Sequence, residues 1–98
     1  MKAEDAAEKL EALGSTARLS IFRLLVRAGP DGLPVGTIQR RLDMPASTLS
    51  HHLHRLVNVG LVTQERAGTS LICRANYAAM DDLLTFMTEE CCAEAADG

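Results

Sequence analysis

Ala46-Ser47-Thr48-Leu49-Ser50-His51-His52-Leu53-His54-Arg55-Leu56-Val57-Asn58-Val59-Gly60-Leu61 decides the fold, because this stretch gives one helix two incompatible faces. Leu49, Leu53 and Leu56 recur at helical spacing and anchor it in a core, while Ser47, Thr48, Ser50, His51, His54 and Arg55 fill the other side. Short hydroxyls, imidazoles and a guanidinium reach base edges and phosphates in a DNA groove. No Asp or Glu, which DNA would repel, stands between Asp43 and Glu65.

Working outward, Asp43-Met44-Pro45 separates this helix from a short one over Val35 to Leu42, with Ile38 and Leu42 inward and Arg40 and Arg41 outward. That spacing is a helix-turn-helix interval, and Pro45 suits the first turn of the second helix. Upstream, Gly29-Pro30-Asp31-Gly32 is a turn. A central helix, capped by Ser15 or Thr16 and running to Ala28, precedes it, with Leu19, Phe22, Leu25 and Val26 as an apolar stripe widened by Ile21 and Leu24. Ala3 to Leu13 is predicted as a first helix ended by Gly14, with Ala6, Ala7, Leu10 and Leu13 on one side. Downstream of Gly60, Leu61 to Arg66 and Ser70 to Ala75 are two strands joined at Ala67-Gly68-Thr69, a hairpin or wing. A last helix begins at Ala78 and runs to about Glu90, with Met80, Leu83, Leu84 and Met87 at i, i+3, i+4 and i+7.

The order gives a mainly α fold with a β-hairpin wing: a winged helix-turn-helix of five helices and two strands. The chain's 98 residues suit a single domain, residues 1–98, and 47 % apolar composition supports a core. Apolar stripes on the terminal helices of so small a body predict a homodimer, with residues 3–13 and 78–92 at its interface. A dimer would present two recognition helices roughly 34–36 Å apart to a pseudo-palindromic operator.

Charge is distributed to match. Residues 15–76 carry eight Arg and three acids (+5), residues 1–14 carry two Lys and four acids (−2), and residues 77–98 carry six acids and no base (−6). A basic centre is the electrostatic footprint of a duplex-binding surface, and the acidic ends belong away from phosphate. Phe22, Phe86 and Tyr77 are the only aromatics and there is no Trp, which argues against a stacking platform for single strands. The N-terminus Met1-Lys2-Ala3-Glu4-Asp5 lacks the apolar run of a signal peptide, and no stretch approaches membrane-spanning length. A cytoplasmic protein without a membrane partner is expected. No His/carboxylate or nucleophile constellation appears, so an enzyme is not expected.

These residues resemble the ArsR/SmtB metalloregulatory repressors over nearly the whole chain. Leu13-Gly14-Ser15-Thr16-Ala17-Arg18-Leu19-Ser20-Ile21-Phe22-Arg23-Leu24-Leu25 is similar to that family's "LADPTRLRILRLL" segment, Ser47-Thr48-Leu49-Ser50-His51-His52-Leu53 to its "S-x-x-S-H-x-L" recognition helix, and Ala67-Gly68-Thr69 to its wing tip. The resemblance implies a dimeric repressor that releases double-stranded operator DNA when an inducer, often a metal or metalloid ion, binds. It places Ser47, Ser50 and His51 toward the major groove. Thr48 and Arg55 join them from the helical wheel, and Arg66 on the wing is expected at a phosphate. His52, close to the Leu49 side, is expected to pack partly into the core, and the His51/His54 pair lacks the nearby carboxylate or thiol that a metal site needs.

Two of the family's sensing sites are missing. The helix Val35-Gly36-Thr37-Ile38-Gln39-Arg40-Arg41-Leu42 lacks the Cys-Val-Cys of arsenic-sensing members, and the last helix has Asp81 and Asp82 but no His, unlike zinc-sensing ones. Glu89-Glu90-Cys91-Cys92 remains, resembling the arsenic-responsive subgroup with C-terminal thiols. Trivalent arsenic and antimony are thiophilic, so Cys91 and Cys92 are the expected ligands of arsenite, methylarsenite or antimonite, with no obligatory cofactor. Adjacent Cα atoms lie ~3.8 Å apart, below the ~4.4–6.8 Å of a relaxed disulfide, so the pair should remain a dithiol. Two thiolates satisfy a methylated arsenical, whereas inorganic arsenite prefers three. Cys73, on the second wing strand, is expected to be a packed small hydrophobe and a poor third ligand. A water-derived oxygen, a partner-subunit cysteine or a residue beyond Gly98 are the other options. The alternative function on the same fold is a thiol-based redox or reactive-sulfur sensing repressor.

Overall fold

A computed structural model of the chain describes residues 1–95, so the option of a ligand beyond Gly98 lies outside the described residues. Five helices and three strands follow in the order α1 (Ala3–Leu13), α2 (Thr16–Ala28), β1 (Leu33–Pro34), α3 (Val35–Leu42), α4 (Ala46–Asn58), β2 (Val62–Ala67), β3 (Ser70–Ala75) and α5 (Tyr77–Thr88). Local chemistry sets the boundaries. Glu4 and Asp5 lie in the first turn of α1, where the helix dipole favours negative charge. Ser15 caps α2 by accepting the Arg18 amide at 3.3 Å, and Asn76 caps α5 by accepting the Ala79 amide at 3.2 Å. Asp43, left-handed at φ 49°, turns the chain from α3 toward α4.

The hairpin of β2 and β3 is antiparallel, from Val62 opposite Ala75 to Ala67 opposite Ser70. Gly68 at φ 63° makes its tight tip. The two-strand expectation needs one correction, since β1 adds a third strand, pairing Leu33 with Cys73 and Pro34 with Ile72. Gly32 makes that approach possible: a Cβ there would lie 2.3 Å from the Cys73 carbonyl oxygen. At two residues, with a proline, β1 is too short to show alternation in sequence.

Ile21, Leu25, Ile38, Leu49, Leu53, Leu56, Leu61, Val62 and Cys73 form the fully buried centre. Each of α2, α3, α4 and the sheet contributes to it, so the helix-turn-helix and the wing share one core. The stripe expected on α2 is rotated: Ile21 and Leu24 are buried and Leu19 is 43 % exposed. Tyr77 ties α5 to α2 by donating its hydroxyl to the Val26 carbonyl at 3.0 Å.

Two apolar stripes are only partly covered. Leu10 on α1 and Leu84 and Met87 on α5 stay exposed, although Ala6, Ala12 and Leu83 are buried. The chain is elongated, 58 × 23 × 21 Å, with a radius of gyration of 15.6 Å. A compact chain of this length would have about 12.6 Å.

The last helix is also shorter than expected. It ends at Thr88, and the segment from residue 89 to 92 that the sequence assigned to a terminal interface helix is a series of turns. Glu89 leaves helical geometry at ψ 133°, and Glu90 and Cys92 have φ of 56° and 61°. Two carboxylates oppose the negative end of the helix dipole and no base lies in the last turn, so nothing there favours another turn of helix.

Candidate nucleic-acid interface

Helix α4 turns about 100° per residue, so its side chains divide into three sectors. Leu49, Leu53 and Leu56 enter the core. Ser47, Thr48, Ser50, His51 and His54 are exposed, as the outward face requires. The third sector, His52 and Arg55, meets α1 and α2.

There the arrangement departs from the wheel. Arg55 does not project freely: its Nη2 donates to Glu11 Oε1 at 2.5 Å, an ion pair with the last turn of α1. Arg18 of α2 lies alongside, its Nε donating to the Ala12 carbonyl at 2.6 Å and its Nη1 standing 3.5 Å from His52 Nδ1. Guanidinium only donates, so Nδ1 is the acceptor and the proton of neutral His52 sits on Nε2. Burial, reinforced by Arg18, His51 and Arg55, pushes the His52 pKa below its ordinary 6.5. The half-buried position expected for His52 is what the structure shows. Glu11 and Arg18 were not legible as partners, because the pairings span 44 and 34 residues.

On its other flank α4 faces the wing across a small cleft of about 170 Å³ whose lining includes Ser50, Leu53, His54, Val57, Gln64 and Leu71. Arg66 is exposed on β2 opposite Leu71. No ion pair or side-chain hydrogen bond engages it among the described residues. Arg74 is committed elsewhere, to Glu65 at 2.8 Å and to the Pro30 carbonyl at 3.2 Å. The wing therefore offers one ready guanidinium and holds the other against the body.

The cysteines separate by environment. Cys73 is fully buried on β3, its pKa raised by burial despite a 3.5 Å contact from Gln64 Nε2. That is the packed hydrophobe expected, and it lies in the core rather than beside the tail. Cys91 and Cys92 are exposed, with their Sγ atoms 3.6 Å apart. With metal–thiolate bonds of ~2.3 Å, this separation corresponds to an S–M–S angle of about 100°. The two sulfurs are thus spaced as a two-thiolate ligand requires. Among the described residues no group of three His, Cys, Asp or Glu converges on a common centre, so a third protein ligand is not provided there.

Comparison with known proteins agrees with this architecture. A helix-turn-helix domain family matches residues 13–65. The HTH-type transcriptional regulator NmtR of Mycobacterium tuberculosis (strain ATCC 25618 / H37Rv) is 41 % identical over 70 residues, 71 % of this chain and 56 % of its own, so the chain spans little more than half of that relative. The crystal structure of the ArsR family transcriptional regulator RHA00566 superposes with a TM-score of 0.76 at 20 % identity, over 92 % of this chain and 90 % of the other, and shows the shared fold. The solution structure of the homodimeric winged helix-turn-helix DNA-binding domain Mb0332 from Mycobacterium bovis, described as a possible ArsR-family transcriptional regulator, gives a TM-score of 0.69 at 27 % identity, covering 90 % and 82 % of the two chains.

Proposed function

The chain belongs to the ArsR/SmtB family of winged helix-turn-helix transcriptional regulators, and on that premise we propose that it is a cytoplasmic, homodimeric repressor whose operator is released when trivalent arsenic or antimony binds Cys91 and Cys92. The observation that carries the DNA-binding half is the acid-free, exposed face of α4 beside the ready Arg66 of the wing. Ser47, Thr48, Ser50 and His51 read base edges in the major groove, and Arg66 neutralises a backbone phosphate. The proteins it resembles are named as regulators, which agrees with a binding role rather than a catalytic one.

Residues 1–98 act as one unit in this reading, and α1 with α5 supplies the dimer contact. The exposed Leu10, Leu84 and Met87 and the elongated outline support it, as does the homodimeric state of the Mycobacterium bovis domain. In the described residues no helix is long and apolar enough to cross a membrane. A Leu84→Glu/Met87→Glu protein should sediment as a monomer.

Two exposed sulfurs at 3.6 Å carry the inducer half. The described part of the chain provides two thiolates and no third, which favours a methylated arsenical, or an inorganic ion completed by a water-derived oxygen or a partner-subunit cysteine. Ligand capture ties Cys91 to Cys92 at the end of α5 and shifts the angle between subunits, so that the recognition helices miss their half-sites. A coupling of ~1–3 kcal/mol is sufficient, weakening operator binding by roughly 5–150-fold. The test is release of promoter DNA from the wild type and from a Cys91→Ser/Cys92→Ser variant by arsenite, methylarsenite and antimonite. Release from the variant places the inducer elsewhere. Release by peroxide or polysulfide alone supports the redox or reactive-sulfur reading.

A further inference from the structure

We infer that Glu11 and Arg55 form a positioning clasp that fixes the roll of the recognition helix against α1, and that Arg55 serves the operator through this pair and not by touching phosphate. The inference rests on the DNA-binding reading above and reassigns one residue of it. The leucine stripe of α4 is buried and close-packed, which fixes its depth and excludes large rotation, so directional contacts are left to set the last few degrees of roll. Among the described residues, the side-chain hydrogen bonds of α4 lie on one side: Arg55 to Glu11 at 2.5 Å, and three residues earlier His52 to Arg18, which itself grips the Ala12 carbonyl at 2.6 Å. His52 and Arg55, at i and i+3, are neighbours on one face of α4, and Glu11 and Ala12 are consecutive in the last turn of α1. Ala12 is fully buried, so a small side chain brings the two helices close at this point.

The geometric leverage is large. Side-chain tips lie about 6 Å from a helix axis, so a roll of about 5° already displaces them by about 0.5 Å. Hydrogen bonds to base edges tolerate a few tenths of an ångström. Since α1 also belongs to the proposed subunit interface, the clasp refers the reading face directly to the dimer frame. The Arg55 and Glu11 side chains are 36 % and 68 % exposed, so the pair adds little to overall stability, and its effect should appear in DNA binding. An exposed pair of this kind is worth roughly 1.4- to 5-fold in an equilibrium constant, hence roughly 2- to 25-fold for the two clasps of a dimer.

The experiment measures affinity for a labelled duplex spanning the protein's own promoter as a function of salt, together with thermal melting. Glu11→Gln and Arg55→Gln should each weaken binding by similar factors, roughly 2- to 25-fold, with the salt slope and melting temperature close to wild type. Arg55→Lys should keep most of the affinity, and Glu11→Arg/Arg55→Glu should restore binding that either single exchange loses. A lower salt slope in Arg55→Gln, with Glu11→Gln neutral or tighter, makes Arg55 a phosphate contact and overturns the inference. Unchanged affinity in both Gln variants, or failure of the exchanged pair to restore binding, overturns it as well. A wild type without salt-sensitive affinity for the promoter refutes the regulator reading itself and takes the clasp's role with it.

Discussion

Removing Arg66 tests the DNA-binding reading most directly, because among the described residues it is the one uncommitted guanidinium of the wing. Arg66 lies exposed opposite Leu71, whereas Arg74 on the neighbouring strand is spent on Glu65 and the Pro30 carbonyl. Neutralising one phosphate of B-DNA contributes about −0.9 to the slope of log affinity against log salt. A dimer carries two such wings, so Arg66→Ala should make the slope shallower by about 1.8, and a protein binding as a monomer by only about 0.9. Between 50 and 200 mM salt, a fourfold change, wild type should lose about 12-fold more affinity than the variant if dimeric, and about 3.5-fold more if monomeric. Fluorescence anisotropy of a labelled promoter duplex across that range reads the slope. Arg74→Ala is the internal control and should leave it unchanged. Equal slopes for wild type and Arg66→Ala would refute the phosphate assignment, and an equal drop in both variants would show that exposure on the wing does not predict contact.

Three further outcomes follow from individual residues. Gly32→Ala must accommodate φ 72° and a Cβ 2.3 Å from the Cys73 oxygen, whereas Gly60→Ala at φ 80° meets nothing within 4 Å. Costs of about 2–4 and about 1 kcal/mol, separable as melting-temperature losses of roughly 8 °C or more against roughly 4–8 °C, are expected. Alkylation of the native protein should modify Cys91 and Cys92 and spare buried Cys73, with a third adduct in mass spectrometry only after denaturation. Because the folded pKa of His52 is depressed, the unfolded chain takes up its proton first as pH falls below about 6.5; its contribution to stability is therefore complete above that pH and is lost on acidification. His52→Gln should melt with a smaller loss between pH 7.5 and 5.5 than wild type, and parallel curves would remove His52 as the cause.

The sequence by itself determined the helices, the helix-turn-helix interval, the hairpin and the two faces of α4, because those features rest on local periodicity and turn chemistry. Leu49, Leu53 and Leu56 are buried and Ser47, Ser50 and His51 exposed because a 3.6-residue repeat leaves a helix little choice. Cys73 was legible as a core residue because a lone thiol on a strand packs as a small hydrophobe. Only tertiary structure decided the rest. β1 exists because Gly32 lets two residues lie against β3, and α5 stops at Thr88 because its end has no favourable cap or charge. Arg55 is an acceptable groove contact on a helical wheel, and it becomes a tie to α1 only when Glu11, 44 residues away, arrives within hydrogen-bonding distance. A wheel records direction from one axis, whereas the partner of a long charged side chain is set by which other helix packs beside it.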